Sequence, residues 1–143
     1  MEINGKKIDK NTEQKLLAAL EGHKEEAKKL LEDEDKLEDV LKDIENKLKS
    51  WGKAGELLSN VPVLVSLVRS YIRKEYTEFP LSSLLAVIAG LLYVINPFDI
   101  IPDQIPLIGQ VDDALVIALV LKLTATDVAQ YQDWKTVQST ING

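Results

Sequence analysis

Two long apolar runs dominate the pattern of hydrophobic and polar positions along this chain. The first covers residues 84–95 and the second residues 114–121. A helix that is apolar on nearly every face is buried when it belongs to a soluble domain. Neither run spans a bilayer, because residues 81–95 as a helix cover only about 22 Å, against roughly 30 Å of hydrocarbon. The pattern predicts a central buried helix over 81–95 and another helix over 111–123.

A narrower apolar stripe runs through the N-terminal third, where its members recur at alternating spacings of four and three residues except for one seven-residue step between Leu30 and Leu37. They are Leu16, Leu20, His23, Ala27, Leu30, Leu37, Leu41, Ile44, Leu48 and Trp51. The acidic run at 32–35 predicts a bend and therefore a helical hairpin, with one long helix that reaches a partner chain as the alternative. Asn11 or Thr12 is expected to cap the first helix. A lone imidazole on an apolar stripe is usually a packed residue rather than a ligand, so we expect this of His23.

The remaining pattern is also helical. Residues 61–76 carry an apolar face, and a last helix is expected to begin at 124–127, whereas residues 1–7 predict an irregular lead-in. No alternating strand pattern of useful length occurs. The fold class is therefore predicted as all-α: five to six helices around a central apolar helix, a Pro/Asp-rich loop, and an N-terminal amphipathic hairpin. We divide the chain into an extension, 1–60, and a helical core, 61–143.

Composition narrows the class of function. The formal charge of −6 argues against nonspecific nucleic-acid binding, which requires basic surface to displace counterions from phosphates. The chain has no cysteine, so it has no disulfide, thiolate nucleophile or cysteine-ligated zinc. The N-terminus lacks the apolar core of a signal peptide, which predicts a cytoplasmic protein.

The segment between the two apolar runs is acidic and stiff. No Lys, Arg or His occurs from 79 to 121, although four aspartates do: Asp99, Asp103, Asp112 and Asp113. Five residues are expected to shape the loop, namely Asn96, Pro97, Pro102, Pro106 and Gly109. Asn and Pro begin a helical turn, the later prolines force extended backbone before them, and Gly allows a positive φ. Any neutralising charge must come from elsewhere.

The loop and its flanks also carry a family resemblance. Residues 93–113 read YVINPFDIIPDQIPLIGQVDD, which resembles the signature of the YkvA-like bacterial domain: Tyr, Ser-Pro, an apolar residue, Asp-Leu-Ile-Pro-Asp, an apolar residue with Pro, Gly and paired Asp. Asn96 and Ile100 replace Ser and Leu of that pattern, and Gln110 is more polar than is typical. The resemblance covers residues 61–134. It implies kinship and a helical fold but no agreed activity, and some members of the family are tied to membranes.

Three interpretations of the aspartates remain open. They can cap helices and pair with Arg69 or Arg73, which lie four residues apart on one helical face. They can instead converge on a hard cation such as Mg²⁺, Mn²⁺ or Ca²⁺, although their spacing is not that of an EF-hand. In the third interpretation, a pair of these aspartates acts as general acid and general base, as in glycosidases, but the sequence shows no aromatic platform for a sugar beside them. The chain also has no nucleophile elbow, phosphate-binding glycine loop or dinucleotide fingerprint.

These features support three hypotheses of function. The first is a non-catalytic helical interaction or scaffold module, organised around loop 96–113, that binds an unknown protein partner or a second copy. The second is a cation-binding protein or cation-dependent enzyme that uses the loop aspartates. The third is peripheral association with a membrane surface, with Arg69, Arg73 and Lys74 near lipid headgroups; the aspartates would have to stay in water or protein.

Overall fold

The computed structural model of the protein describes residues 2–3, 6–7, 9–51, 60–95 and 113–142. Its elements are β1 (Glu2–Ile3), β2 (Lys6–Lys7), α1 (Lys10–Gly22), α2 (Lys24–Leu31), α3 (Glu34–Trp51), α4 (Val61–Ile72), α5 (Leu81–Ile95), α6 (Asp113–Leu123) and α7 (Ala125–Asn142). The predicted all-α class is confirmed. The irregular lead-in is corrected in part, because β1 and β2 form a two-residue antiparallel pair that lies beside α6.

The first helix begins earlier than the sequence pattern suggested. Asp9, not Asn11 or Thr12, is the N-cap of α1, and its Oδ1 accepts the backbone N–H of Thr12 at 2.7 Å. That hydrogen bond lowers the pKa of Asp9, with smaller help from the Thr12 side chain. Asp and Asn are about equally good caps, so residue type alone could not separate the candidates.

His23 divides the first helical segment into two. α1 ends at Gly22 and α2 begins at Lys24, with the His23 N–H bonded to the carbonyl of Leu20 at 3.1 Å. The His23 side chain is fully buried, and its ring meets Tyr93 of α5 edge-on, with centroids 6.0 Å apart. The expectation of a packed histidine is confirmed, whereas the helix break at this position was not predicted.

The bend at the acidic run lies where the sequence placed it. α2 ends at Leu31, α3 begins at Glu34, and Asp33 Oδ1 accepts the N–H of Lys36 at 3.2 Å. The single long helix is therefore excluded, and α2 and α3 each contact α5. This turn keeps both halves of the apolar stripe on the same side.

Helix α5 is the centre of the molecule. It contacts α1, α2, α3, α4 and α6, and every residue from 87 to 94 is buried. The N-terminal stripe supplies much of this cover, because Leu16, Ala27 and Ile44 are fully buried in the same cluster as α5. The stripe therefore packs on the core rather than on a separate chain. The division of the chain at residue 60 stays a prediction.

Helices α5 and α6 approach closely at Gly90. A Cβ built on Gly90 would lie 2.6 Å from Cγ2 of Val120, a distance that real Cβ atoms do not adopt. The absence of a side chain at Gly90 lets α6 lie against the central helix. The two apolar runs therefore form one tightly packed helix pair.

We expect Gly90→Ala to lower stability by about 1 kcal/mol. The steric conflict with Val120 costs roughly 1–3 kcal/mol, and the better helix propensity of alanine recovers up to about 1 kcal/mol. Val120→Ala removes the conflicting methyl, so the double variant should be more stable than the sum of the two single effects predicts. Urea denaturation of the four proteins measures this coupling. Strictly additive effects would contradict the close contact.

Candidate functional site

Most of the site residues predicted from sequence lie outside the described residues. These are Asn96, Pro97, Asp99, Pro102, Asp103, Pro106, Gly109 and Asp112. Asp113 is the first residue of α6, as expected for a carboxylate at a helix N-terminus. Elsewhere in the described chain, no three acidic or histidine side chains lie close enough to hold a metal ion. The cation-site interpretation of the loop stays a prediction.

The frame that carries the loop is well defined. α5 ends at Ile95 and α6 begins at Asp113, so the intervening segment is attached at both ends to the Gly90–Val120 helix pair. From α3, Lys47 Nζ donates a hydrogen bond to the backbone carbonyl of Val94, in the last turn of α5. A cation there satisfies a carbonyl that has no intrahelical partner and complements the helix dipole. The N-terminal extension thus reaches the base of the loop.

At least one of Arg69 and Arg73 was predicted to pair with a loop aspartate, and in the described part of the chain the partners of Arg69 are two glutamates of α3. Its Nε donates to Glu38 Oε1 at 3.0 Å, and its Nη2 donates to Glu45 Oε1 at 2.6 Å. The hydrogen bonds that Arg69 donates to Glu45 and Glu38 raise the pKa of Arg69, and the bond to Glu45 lowers the pKa of that carboxyl group. Arg69 therefore ties α4 to α3.

The spacing of the two glutamates that bind Arg69 was visible in the sequence. Glu38 and Glu45 are seven residues apart and so lie on one face of α3, beside the apolar stripe. Only the packing of α3 against α4 brings that face to Arg69. A pairing with Asp99, Asp103 or Asp112 involves positions outside the described residues and stays a prediction, as it does for Arg73.

Arg73 lies at the end of α4 on the rim of a groove. It is the C-cap residue, and Lys74 follows in the left-handed region with φ of 61°. The N–H of Glu75 then bonds the carbonyl of Ser70 at 2.9 Å, which ends the helix. This turn leaves the Arg73 side chain exposed beside α3 and α7.

The groove between α3, α4 and α7, which we call the α3–α4–α7 groove, has a volume of about 630 Å³. Its polar floor is a chain of hydroxyl groups around the buried Tyr131. The phenol oxygen of Tyr131 lies 2.7 Å from Ser66 Oγ and 3.0 Å from Ser70 Oγ. Lys135 Nζ donates to Ser66 Oγ at 2.6 Å. A serine beside a lysine suggests nucleophilic catalysis, but Lys135 is exposed and lacks the desolvation that general-base lysines use.

The rings of Tyr131 and Trp134 line the same groove, and Tyr76 packs against both of them. Tyr76, Tyr131 and Trp134 meet with centroid separations of 5.1–5.9 Å, and the rings of Tyr131 and Trp134 are stacked at an interplanar angle of 27°. Burial raises the pKa of Tyr76, and the charges of Glu78 and Asp127 add to this. The sequence analysis missed this groove, because its residues come from three separated helices.

We expect a double-mutant cycle of Arg69→Met with Glu38→Gln to give a coupling of about 1 kcal/mol, since both side chains are partly shielded. The more exposed Glu45 should couple less strongly. Because the folded-state pKa of Glu45 is depressed, its contribution is present at neutral pH and is lost as the pH falls below about 4. Thermal melts across this range measure both effects. The same cycle with Asp99→Asn tests the loop pairing, and zero coupling with both glutamates would contradict the observed cluster.

None of the helices within residues 9–51, 60–95 and 113–142 is both long and apolar enough to span a bilayer.

Comparisons with known proteins locate the family-related part of the chain. A family model described as "Protein of unknown function (DUF1232)" matches residues 83–119, which include most of α5, the acidic segment and the start of α6. The chain is 31% identical over 78 residues to the uncharacterized membrane protein YkvA of Bacillus subtilis (strain 168), covering 54% of this chain and 74% of that relative. No solved structure matches. Because the chain matches this relative over 74% of its length at 31% identity, it belongs to the YkvA-like family, whose function is unknown.

Proposed function

We propose that the protein is a non-catalytic helical interaction module in which α5 and α6 present the acidic segment 96–113 to a protein partner or a second copy. The close packing of α5 on α6 at Gly90 carries this proposal, because it fixes the distance between the two ends of the segment. The family match supports it, since the shared residues 83–119 are this same unit. Prolines restrict the backbone before binding, so a proline-containing segment on this frame is expected to lose less conformational entropy on binding.

In-cell photo-crosslinking tests the interaction module. A photoreactive amino acid at Ile100, inside the acidic segment, should give a discrete adduct, and the same group at Lys29, on the exposed face of α2, should not. Asp99→Asn combined with Asp103→Asn should remove the adduct while the thermal melt is retained. The same yield of adducts from both positions would contradict a role for the segment.

A cation remains the alternative use of the same carboxylates. If the aspartates converge on Mg²⁺, Mn²⁺ or Ca²⁺, millimolar concentrations of one of these ions should raise the melting temperature in a saturable manner, and Asp103→Asn should abolish the shift. That result would replace the interaction module with a cation-dependent function.

A second candidate is peripheral association with the cytoplasmic face of a membrane. The observation that favours it is the relative, which carries the name of a membrane protein. Surface attachment through basic side chains is weakened by salt, because ions screen their attraction to anionic lipids. We therefore expect the protein to sediment with membranes at low ionic strength and to be released by about 1 M salt. Retention after that wash would contradict peripheral, electrostatic binding.

A further inference from the structure

We infer that the α3–α4–α7 groove binds a phosphoryl group, carried either by a small phosphorylated molecule or by a lipid headgroup. This site is independent of the acidic segment and of the function proposed for it. Three observations carry the inference: the charge of the lining, the unused hydrogen-bond donors on its floor, and its size.

The charge of the groove is opposite to that of the whole chain. The protein has a formal charge of −6, yet the groove is lined by four basic side chains, one or more from each helix: Lys49, Arg69, Arg73 and Lys135. Only two lining residues are acidic, and one of them, Glu45, is already paired with Arg69. Among the described residues, Arg73 and Lys135 form no ion pair. Within the described part of the chain, Arg73 and Lys135 therefore border one cavity, and neither is paired with a carboxylate there.

The floor of the groove has donors to spare. Ser66, Tyr131 and Ser70 carry three hydroxyl protons but share only two hydroxyl–hydroxyl contacts, so in any arrangement one proton remains for another acceptor. Lys135 uses one of its three ammonium protons on Ser66. Ser70 lies in the last turn of α4, Arg73 is the C-cap of that helix, and both line the same groove as Lys135. Oxygen atoms of a phosphoryl group accept such bonds, and ionised partners make them shorter and stronger.

The size of the groove indicates a ligand larger than phosphate itself. Its volume of about 630 Å³ lies within the range of small-molecule sites. The apolar part of the wall comes from Leu48, Val65 and Trp134, which can contact the organic part of the ligand. Glu75 also lines the groove and opposes anions, so the phosphoryl group is expected nearer to Lys135, Ser70 and Arg73 than to Glu75.

Tryptophan fluorescence provides the test. In a Trp51→Phe background the remaining tryptophan, Trp134, reports on the groove. Titration with inorganic phosphate, with chloride replaced to hold ionic strength constant, should give a saturable change in emission. Lys135→Gln or Arg73→Gln should weaken binding about tenfold each, which corresponds to about 1.4 kcal/mol. The control is Lys29→Gln, the same loss of charge on the exposed face of α2, and it should leave affinity unchanged.

Two ligands distinguish the sources of the phosphoryl group. Glycerol 3-phosphate in solution represents a small phosphorylated molecule, and phosphatidic acid in phosphatidylcholine vesicles represents a headgroup. Tighter binding of the first identifies a soluble ligand, and Lys135-dependent binding of the vesicles alone identifies a lipid. The inference is overturned if no phosphate-containing probe gives saturation, or if Lys29→Gln weakens binding as much as Lys135→Gln. Pure phosphatidylcholine vesicles should not bind.

Discussion

Replacing Leu91 with aspartate is expected to unfold the protein. Leu91 is 1% exposed and lies in the part of α5 that is buried on every side. An unpaired carboxylate in such a core costs several kcal/mol, which is comparable with the 5–15 kcal/mol that stabilises a typical domain. Circular dichroism at 25 °C should show loss of the helical signal. The thermal melt should show no cooperative unfolding transition.

Leu81→Asp is the matched control on the same helix. Leu81 is 59% exposed and is the first residue of α5, where a negative charge interacts favourably with the helix dipole. We expect its melting temperature to stay close to that of the unmodified protein. If Leu91→Asp melted like Leu81→Asp, the central position of α5 would be wrong.

Removal of residues 1–52 is the second change with a large expected effect. The family resemblance begins near residue 61, which taken alone predicts that the core survives this truncation. The packing argues the opposite, since α1, α2 and α3 all contact α5 and bury its apolar surface. Exposing that surface lowers the free energy of unfolding by about 25 cal/mol for each Å² of apolar area that the three helices had covered. The fragment 53–143 should aggregate or lose helical signal beyond that of the deleted residues.

Supplying the missing segment separately is the control for this truncation. Fragment 1–52 produced together with fragment 53–143 should restore a soluble complex, because the contacts between them do not require the connecting peptide. Leu41→Asp in the first fragment should prevent that rescue, since Leu41 is fully buried. A soluble, cooperatively folded 53–143 alone would instead support the division of the chain at residue 60.

Local sequence signals predicted the elements whose causes are themselves local. The uniformly apolar run of α5, the bend near Asp33 and the all-α class follow from periodicity and turn chemistry within a few residues. The cap at Asp9 and the break at His23 were missed, because several neighbouring residues offered similar signals. The choice among them depends on how α1 and α2 pack on α5.

One part of the candidate site could be predicted from the sequence, and another part could not. The family motif located the acidic segment directly, because its prolines and aspartates are contiguous in sequence. The partners of Arg69 and the α3–α4–α7 groove could not be predicted from contiguous sequence. Glu45, Arg73 and Lys135 come from three separate parts of the chain that meet only in the fold. The sequence showed which charges were available but not which of them become neighbours.

The position of α5 has a consequence for synthesis on the ribosome. The buried members of the apolar stripe of α1–α3 are complete once Ile44 has emerged, but the surface that covers them, around Ile88, emerges 44 residues later. At about 5–20 residues per second this interval lasts roughly 2–9 s, whereas helices form within about a microsecond. The nascent hairpin must therefore keep its apolar faces together, or be held by a chaperone, until the central helix leaves the exit tunnel.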